Sequence, residues 1–171
     1  MERISKSYAT SSNATSICYH YARANKDALS DEWAEKSYKR KPTWVSAYNL
    51  AIAMRTKGLK DKALSLFEEA LTMDPENPSV LESLGREYIA RGAKDKGEAI
   101  LKRAHGEFKR LIRLGDLEKD DMGRAMRTAR YFSDQAMLDE LAKLKARSAA
   151  TTPIYDEENL AASILNQPRA H

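Results

Sequence analysis

The chain has 171 residues, with 29 basic and 25 acidic side chains and a net charge of +4. That length holds one domain with its own core, without metal or disulfide staples, and the single cysteine, Cys18, excludes both an internal disulfide and a thiolate-built zinc site. With only 7 glycines and 5 prolines, and with Phe, Trp, Ile and Val sparse, the composition argues against a β-sandwich or barrel. No apolar run approaches the roughly 18 residues of a membrane span.

Residues 1–12 are rich in Ser and Thr and contain no apolar block. They are expected to be disordered and not to act as a secretory signal, so the chain is expected to be cytoplasmic. From 14 to 41, two apolar stripes follow one another. The first is Ala14, Ile17, Cys18, Tyr21 and Ala22; the second is Ala28, Leu29, Trp33, Ala34, Ser37 and Tyr38, closed by Lys41-Pro42. Next come Ala47, Leu50, Ala51 and Met54 at the i, i+3, i+4, i+7 spacing of one helix face. Gly58 ends that helix. Ala63, Leu64, Phe67, Ala70 and Leu71 form the following stripe, with Asp61 as its expected N-cap and Asp74-Pro75-Glu76-Asn77-Pro78 as its stop.

Laying 44–77 over 78–111 without gaps exposes a 34-residue repeat. Leu50 falls on Leu84, Gly58 on Gly92, Ala70 on Ala104, and Lys60-Asp61-Lys62 on Lys94-Asp95-Lys96. Downstream, Met122, Met126, Ala129 and Phe132 mark one helix and Ala136, Leu138, Leu141, Ala142 and Leu144 another. Asp120-Asp121 read as capping charges at the start of this pair, and Ser133-Asp134 as the turn within it. The tail, 148–171, opens as a linker; Asp156, Glu157 and Glu158 then precede Leu160, Ala161, Ile164 and Leu165, the pattern of one short amphipathic helix.

Leu84-Gly85 with Tyr88, and Ala63 with Phe67, Ala70 and Pro75, resemble the tetratricopeptide repeat pattern of small, aromatic and proline positions. The sequence departs from that pattern at Ala47, where a larger residue is usual, at Gly97, where Ala is usual, and at Lys109, where Pro is usual. Without that proline the second helix of 78–111 is expected to run on through Phe108, Leu111 and Ile112. The resemblance implies an all-α superhelical solenoid of about eight helices spanning 13–147. Its clear repeats are 44–77 and 78–111, and its divergent or capping pairs are 14–41 and 119–147.

The resemblance further implies that the first helix of each pair lines a concave groove. The groove positions would be Val45, Tyr48, Asn49, Ile52 and Arg55, then Ser79, Glu82, Ser83, Arg86 and Ile89. Tyr48, Ile52 and Ile89 could anchor a peptide or helix of a protein partner, and Asn49 and Arg86 could bond its backbone or a carboxylate. The alternative is that these residues pack on the chain's own N-terminal helix or tail. Tyr48 and Ile52 stand where repeats that clamp acidic chaperone tails need a cation and an amide, which argues against that subtype.

A second constellation is basic: Lys102, Arg103, Lys109, Arg110 and Arg113 on one helix, then Arg124, Arg127 and Arg130 at spacing three on the next. It could take phosphate or an acidic protein, but Glu98, Glu107, Asp116 and Glu118 dilute it and stacking aromatics are few. No nucleophile-elbow, zinc-protease or phosphate-loop motif is present, and His20, His105 and His171 have no second ligand on a shared face. The expectation is a non-enzymatic interaction adaptor without cofactor or metal. The alternatives are a secretion- or assembly-type chaperone, which the positive charge fits poorly, and a nucleic-acid-associated subunit.

Overall fold

The computed structural model describes residues 27–151. Seven helices follow one another there: α1 Asp27–Arg40, α2 Trp44–Thr56, α3 Lys60–Met73, α4 Pro78–Ala90, α5 Lys94–Leu114, α6 Met122–Tyr131 and α7 Gln135–Thr151, with a 3-10 turn, Lys119–Asp121, before α6. The stripes expected at 14–24 and 160–165 lie outside the described residues.

Local chemistry sets the boundaries. Thr43 and Ser46 open α2 with a reciprocal capping box, the Thr43 hydroxyl accepting from the Ser46 amide and the Ser46 hydroxyl from the Thr43 amide. Asn77 opens α4 by accepting from the Ser79 and Val80 amides at 3.1 and 3.2 Å, with Pro78 in the first helical position. Gly58 and Gly92, one repeat apart, both hold a left-handed φ (76° and 84°) after α2 and α4, a conformation costly for any side chain.

Two sequence expectations about caps do not hold. Asp61 lies in the first turn of α3, whose cap position is Leu59; its carboxylate instead pairs with Arg91 at 2.7 Å. Asp121 stands at the cap of α6 but makes no capping bond, because its carboxylate is drawn to α4 instead. Asp134 does cap, accepting from the Met137 amide at 3.0 Å at the start of α7.

The helices pack as neighbouring hairpins, α2 on α3, α4 on α5 and α6 on α7, with α1 against α2 and α3 against α4. The first core joins Ala47, Leu50, Ala51 and Met54 to Ala63, Phe67 and Ala70, and to Val80, Leu84 and Tyr88 of the next repeat. The second joins Leu81, Ala104, Phe108 and Ile112 to Ala125, Ala129, Met137 and Leu141. Leu71 and Ile100 border both, so apolar burial is continuous along the stack. As expected without a proline at 109, α5 runs on to Leu114, and the extension buries Phe108 and Ile112 in the second core.

The departure at Gly97 has a structural cause. A Cβ there would lie 2.6 Å from the Gly85 carbonyl oxygen and 2.6 Å from Ile89 Cγ1, and one on Gly85 would lie 2.9 Å from the Gly97 carbonyl oxygen. The two glycines let the backbones of α4 and α5 meet directly. At the equivalent crossing of α2 and α3, Ala51 and Ala63 stand in those positions, both fully buried.

Candidate functional site

Helices α2, α4 and α6 are the first members of successive hairpins, and polar contacts tie one to the next. The Tyr48 hydroxyl lies 3.1 Å from Ser83 Oγ and accepts from Arg124 Nε at 3.2 Å. Arg124 also donates to Asp121 at 3.0 Å and to the Asp120 carbonyl at 3.1 Å, and Asp121 accepts from the Ser79 hydroxyl. Burial works against the Arg124 charge, but Tyr48, Asp121 and Glu82 outweigh it and raise its pKa above the ordinary arginine value. Glu82, only 2% exposed, accepts from Arg127 Nε at 3.0 Å and pairs with Arg86 at 3.4 Å.

This network alters the picture drawn from sequence. Tyr48 and Ser83 are buried in helix–helix contacts and do not face open space, and Glu82 is buried as well, with only its edge on a cavity. Ser79 is likewise buried. Ile52 packs half-buried against the first core, Asn49 is half-buried, and the exposed Arg55 lays its guanidinium 5.6 Å from the Phe67 ring centre. Of the expected groove residues, Arg86 and Ile89 line a cavity, and Glu82 reaches its wall.

That cavity, about 590 Å³, opens between α4, α5 and α6. Ile89, Ala90 and Leu101 give it apolar walls, and Arg86, Arg127, Arg130 and Tyr131 surround them. Three arginines against one glutamate leave it a net charge of +2. The contact of Arg127 with Glu82 uses Nε, so its two terminal nitrogens remain for an incoming acceptor, and Arg130 has no ion pair among the described residues. A guanidinium fork is suited to a carboxylate. The Tyr131 hydroxyl donates to Glu98 at 2.7 Å, and Lys94 lies 3.8 Å from that carboxylate, so the acid at this end is already engaged. A second cavity of about 610 Å³ lies between α1, α2 and α3, but its Glu35 and Asp61 are balanced by Lys39 and Lys62. It has no comparable preference of charge.

The basic constellation is not one face. Arg103 caps the Pro75 carbonyl at 2.8 Å, Lys109 pairs with Asp134 at 2.9 Å and Arg110 with Glu107 at 2.7 Å. Lys102 is exposed, and Arg113 borders a separate small groove between α5 and α7. Arg124 turns toward Tyr48 of α2 and Arg127 toward Glu82 of α4, and Arg127 and Arg130 join Arg86 at the cavity. Tyr131 and Leu101 were not foreseen as site residues. Their part depends on how α5 and α6 are juxtaposed, which helical spacing does not report.

His105 Nε2 lies 3.0 Å from Asp134, its ring centre 5.1 Å from that of Phe132, and its buried Nδ1 has no partner among the described residues. Among the described residues no group of three or more His, Cys, Asp or Glu could hold a metal, and no helix is long and apolar enough to cross a membrane.

Stacked helical hairpins with a recurring 34-residue unit define an α-solenoid. Residues 60–109 match the tetratricopeptide repeat family model. Solved structures of MamA share the fold. One, 14% identical, covers 88% of this chain and 87% of its own with a TM-score of 0.57. A mutant form, 20% identical, covers 60% and 75% with a TM-score of 0.50. PilW, titled a widely conserved type IV pilus biogenesis factor, is 16% identical over 90% of this chain and 67% of its own, with a TM-score of 0.49. No sequence among the curated proteins matches the chain.

Proposed function

We propose that the chain is a non-enzymatic adaptor that holds a peptide or helix of a partner protein against the cavity between α4, α5 and α6. The observation that carries this reading is the pairing of apolar walls (Ile89, Ala90, Leu101) with outward arginines and a tyrosine in one open cavity. Arginine and tyrosine are the residue types that dominate interface energetics, and apolar walls supply burial. A carboxylate-bearing segment with an adjacent aliphatic side chain matches both features. The basic residues away from the cavity speak for a protein rather than a nucleic acid, since Arg103, Lys109 and Arg110 are spent on intramolecular partners and do not form the continuous stripe that backbone phosphates require.

The test is affinity capture from native extract, comparing wild type with an Ile89→Asp, Arg130→Glu variant, followed by reconstitution with each purified candidate. Tyr48 is unsuitable as a probe because it belongs to the core. The variant must first match wild type in helicity and melting. A protein that binds wild type directly and loses at least tenfold affinity for the variant supports the reading. Equal binding to both forms moves the working surface elsewhere.

A further inference from the structure

We propose that the chain's own tail occupies this cavity, with Glu157 and Glu158 on the arginines and Leu160 against Ile89 and Leu101. The inference rests on the cavity being a binding surface and adds a built-in competitor for it. Charge is the first argument. The cavity carries a net +2 from Arg86, Arg127 and Arg130 against Glu82, while residues 148–171 carry three acids and one base. The three acids stand together, Asp156-Glu157-Glu158, and an aliphatic residue follows two positions later at Leu160. Carboxylate beside aliphatic is the chemistry the cavity presents in complement.

Reach is the second argument. Helices α6 and α7 form a hairpin around Phe132–Asp134, so α7 leads away from the cavity for its 17 residues, about 24 Å. Arg127 lies four residues before the end of α6. The return from Thr151 is therefore about 18 Å along the axis and about 10 Å across, about 21 Å in all. At roughly 3.4 Å per residue, Asp156 has about 17 Å of chain, Glu157 about 20 Å and Glu158 about 24 Å, and the side chains on both sides of each ion pair span what remains. Leu160 then has about 31 Å, enough to turn inward to the apolar wall. The rim acid nearest this path, Glu98, is held by Tyr131 and Lys94 and does not oppose it.

The test uses the full chain with Cys18→Ser and Ala162→Cys, carrying a nitroxide at position 162, and reads paramagnetic broadening of backbone amides. The expected result is at least a fivefold loss of intensity for Arg86, Ile89 and Arg130 relative to the reduced label. That loss should disappear with Glu157→Lys, Glu158→Lys and return when Arg127→Glu, Arg130→Glu is added to the reversed tail. No localised broadening, broadening centred elsewhere, or broadening indifferent to the lysines would overturn the proposal. So would broadening that appears only when spin-labelled chains are mixed with separately isotope-labelled ones, since the occupant would then be a second copy's tail. Failure here leaves the adaptor reading standing. Partner capture by the Glu157→Lys, Glu158→Lys chain tests the cavity independently, and an occupied cavity predicts that this chain captures more partner than wild type.

Discussion

The contact of Gly85 with Gly97 makes a quantitative prediction that pits local propensity against packing. Replacing glycine by alanine inside a helix ordinarily stabilises it by about 1 kcal/mol. At Gly97 the added methyl would sit 2.6 Å from the Gly85 carbonyl oxygen and 2.9 Å from the Ile89 amide nitrogen. Both are backbone atoms of α4 and cannot swing aside as a side chain would. To restore an ordinary contact of 3.4 Å, the helices must part by about 0.8 Å, a gap that forfeits much of the dispersion energy along the seam. Overpacking of this kind costs up to about 3 kcal/mol, so Gly97→Ala should destabilise the chain by about 2 kcal/mol net. Gly106 provides the control on the same helix, because nothing lies within 4 Å of its added Cβ. Gly106→Ala should show the propensity gain alone, up to about 1 kcal/mol. Urea titration followed by helical circular dichroism reads both; with a slope of roughly 1.5 kcal/mol/M, Gly97→Ala lowers the midpoint by about 1 M and Gly106→Ala raises it. A Gly97→Ala chain as stable as wild type, or a Gly106→Ala chain the weaker of the two, would refute the close-approach argument.

Glu82→Gln should cost about 1–2 kcal/mol, because the buried carboxylate loses its charge opposite Arg86 and Arg127 while those guanidinium groups, about half exposed, keep partial access to water; an unchanged urea midpoint would contradict this. Tyr48→Phe removes the hydroxyl shared by Ser83 and Arg124 without altering the ring and should cost about 1 kcal/mol in the same assay. The Asp134 carboxyl, held by Lys109, by the Met137 amide and by His105, titrates at about 2, below its ordinary 3.8. A depressed folded-state pKa gives stability that is complete above about pH 4 and is lost as pH falls toward about 2. Asp134→Asn should therefore flatten the acid limb of the stability profile between those values, and an unchanged limb in pH-dependent melting would argue against the contact.

The repeats were legible because each hairpin writes its own register. Leu50 and Leu84, Gly58 and Gly92, and Ala70 and Ala104 recur at the offset of the unit, and each pair has the same structural task in both copies. Even the absent proline at 109 was informative, since it foretold the length of α5. The site was only half legible. Arg86 and Ile89 were placed at a groove from the family pattern and do line the cavity, with Glu82 at its wall, but Tyr48 and Ser83, also expected to face the groove, are covered. What covers them is α6, whose approach to α4 is set by the 3-10 turn and the long α5 before it. Spacing within one helix says which residues share a face; it does not say how closely another helix will meet that face. Arg127 illustrates the limit, because its role is defined by Glu82, 45 residues away.

The hydrogen bonds from Tyr48 to Ser83 and Arg124 also bear on mechanics. A solenoid joined only by apolar contacts can flex like a spring, since greasy surfaces slide at little cost. Here one hydroxyl is shared by three successive first helices, and any motion that separates them would pull on those bonds first. The face built from α2, α4 and α6 therefore resists being spread apart. The wall beside Ile89 is thus braced before anything enters the cavity.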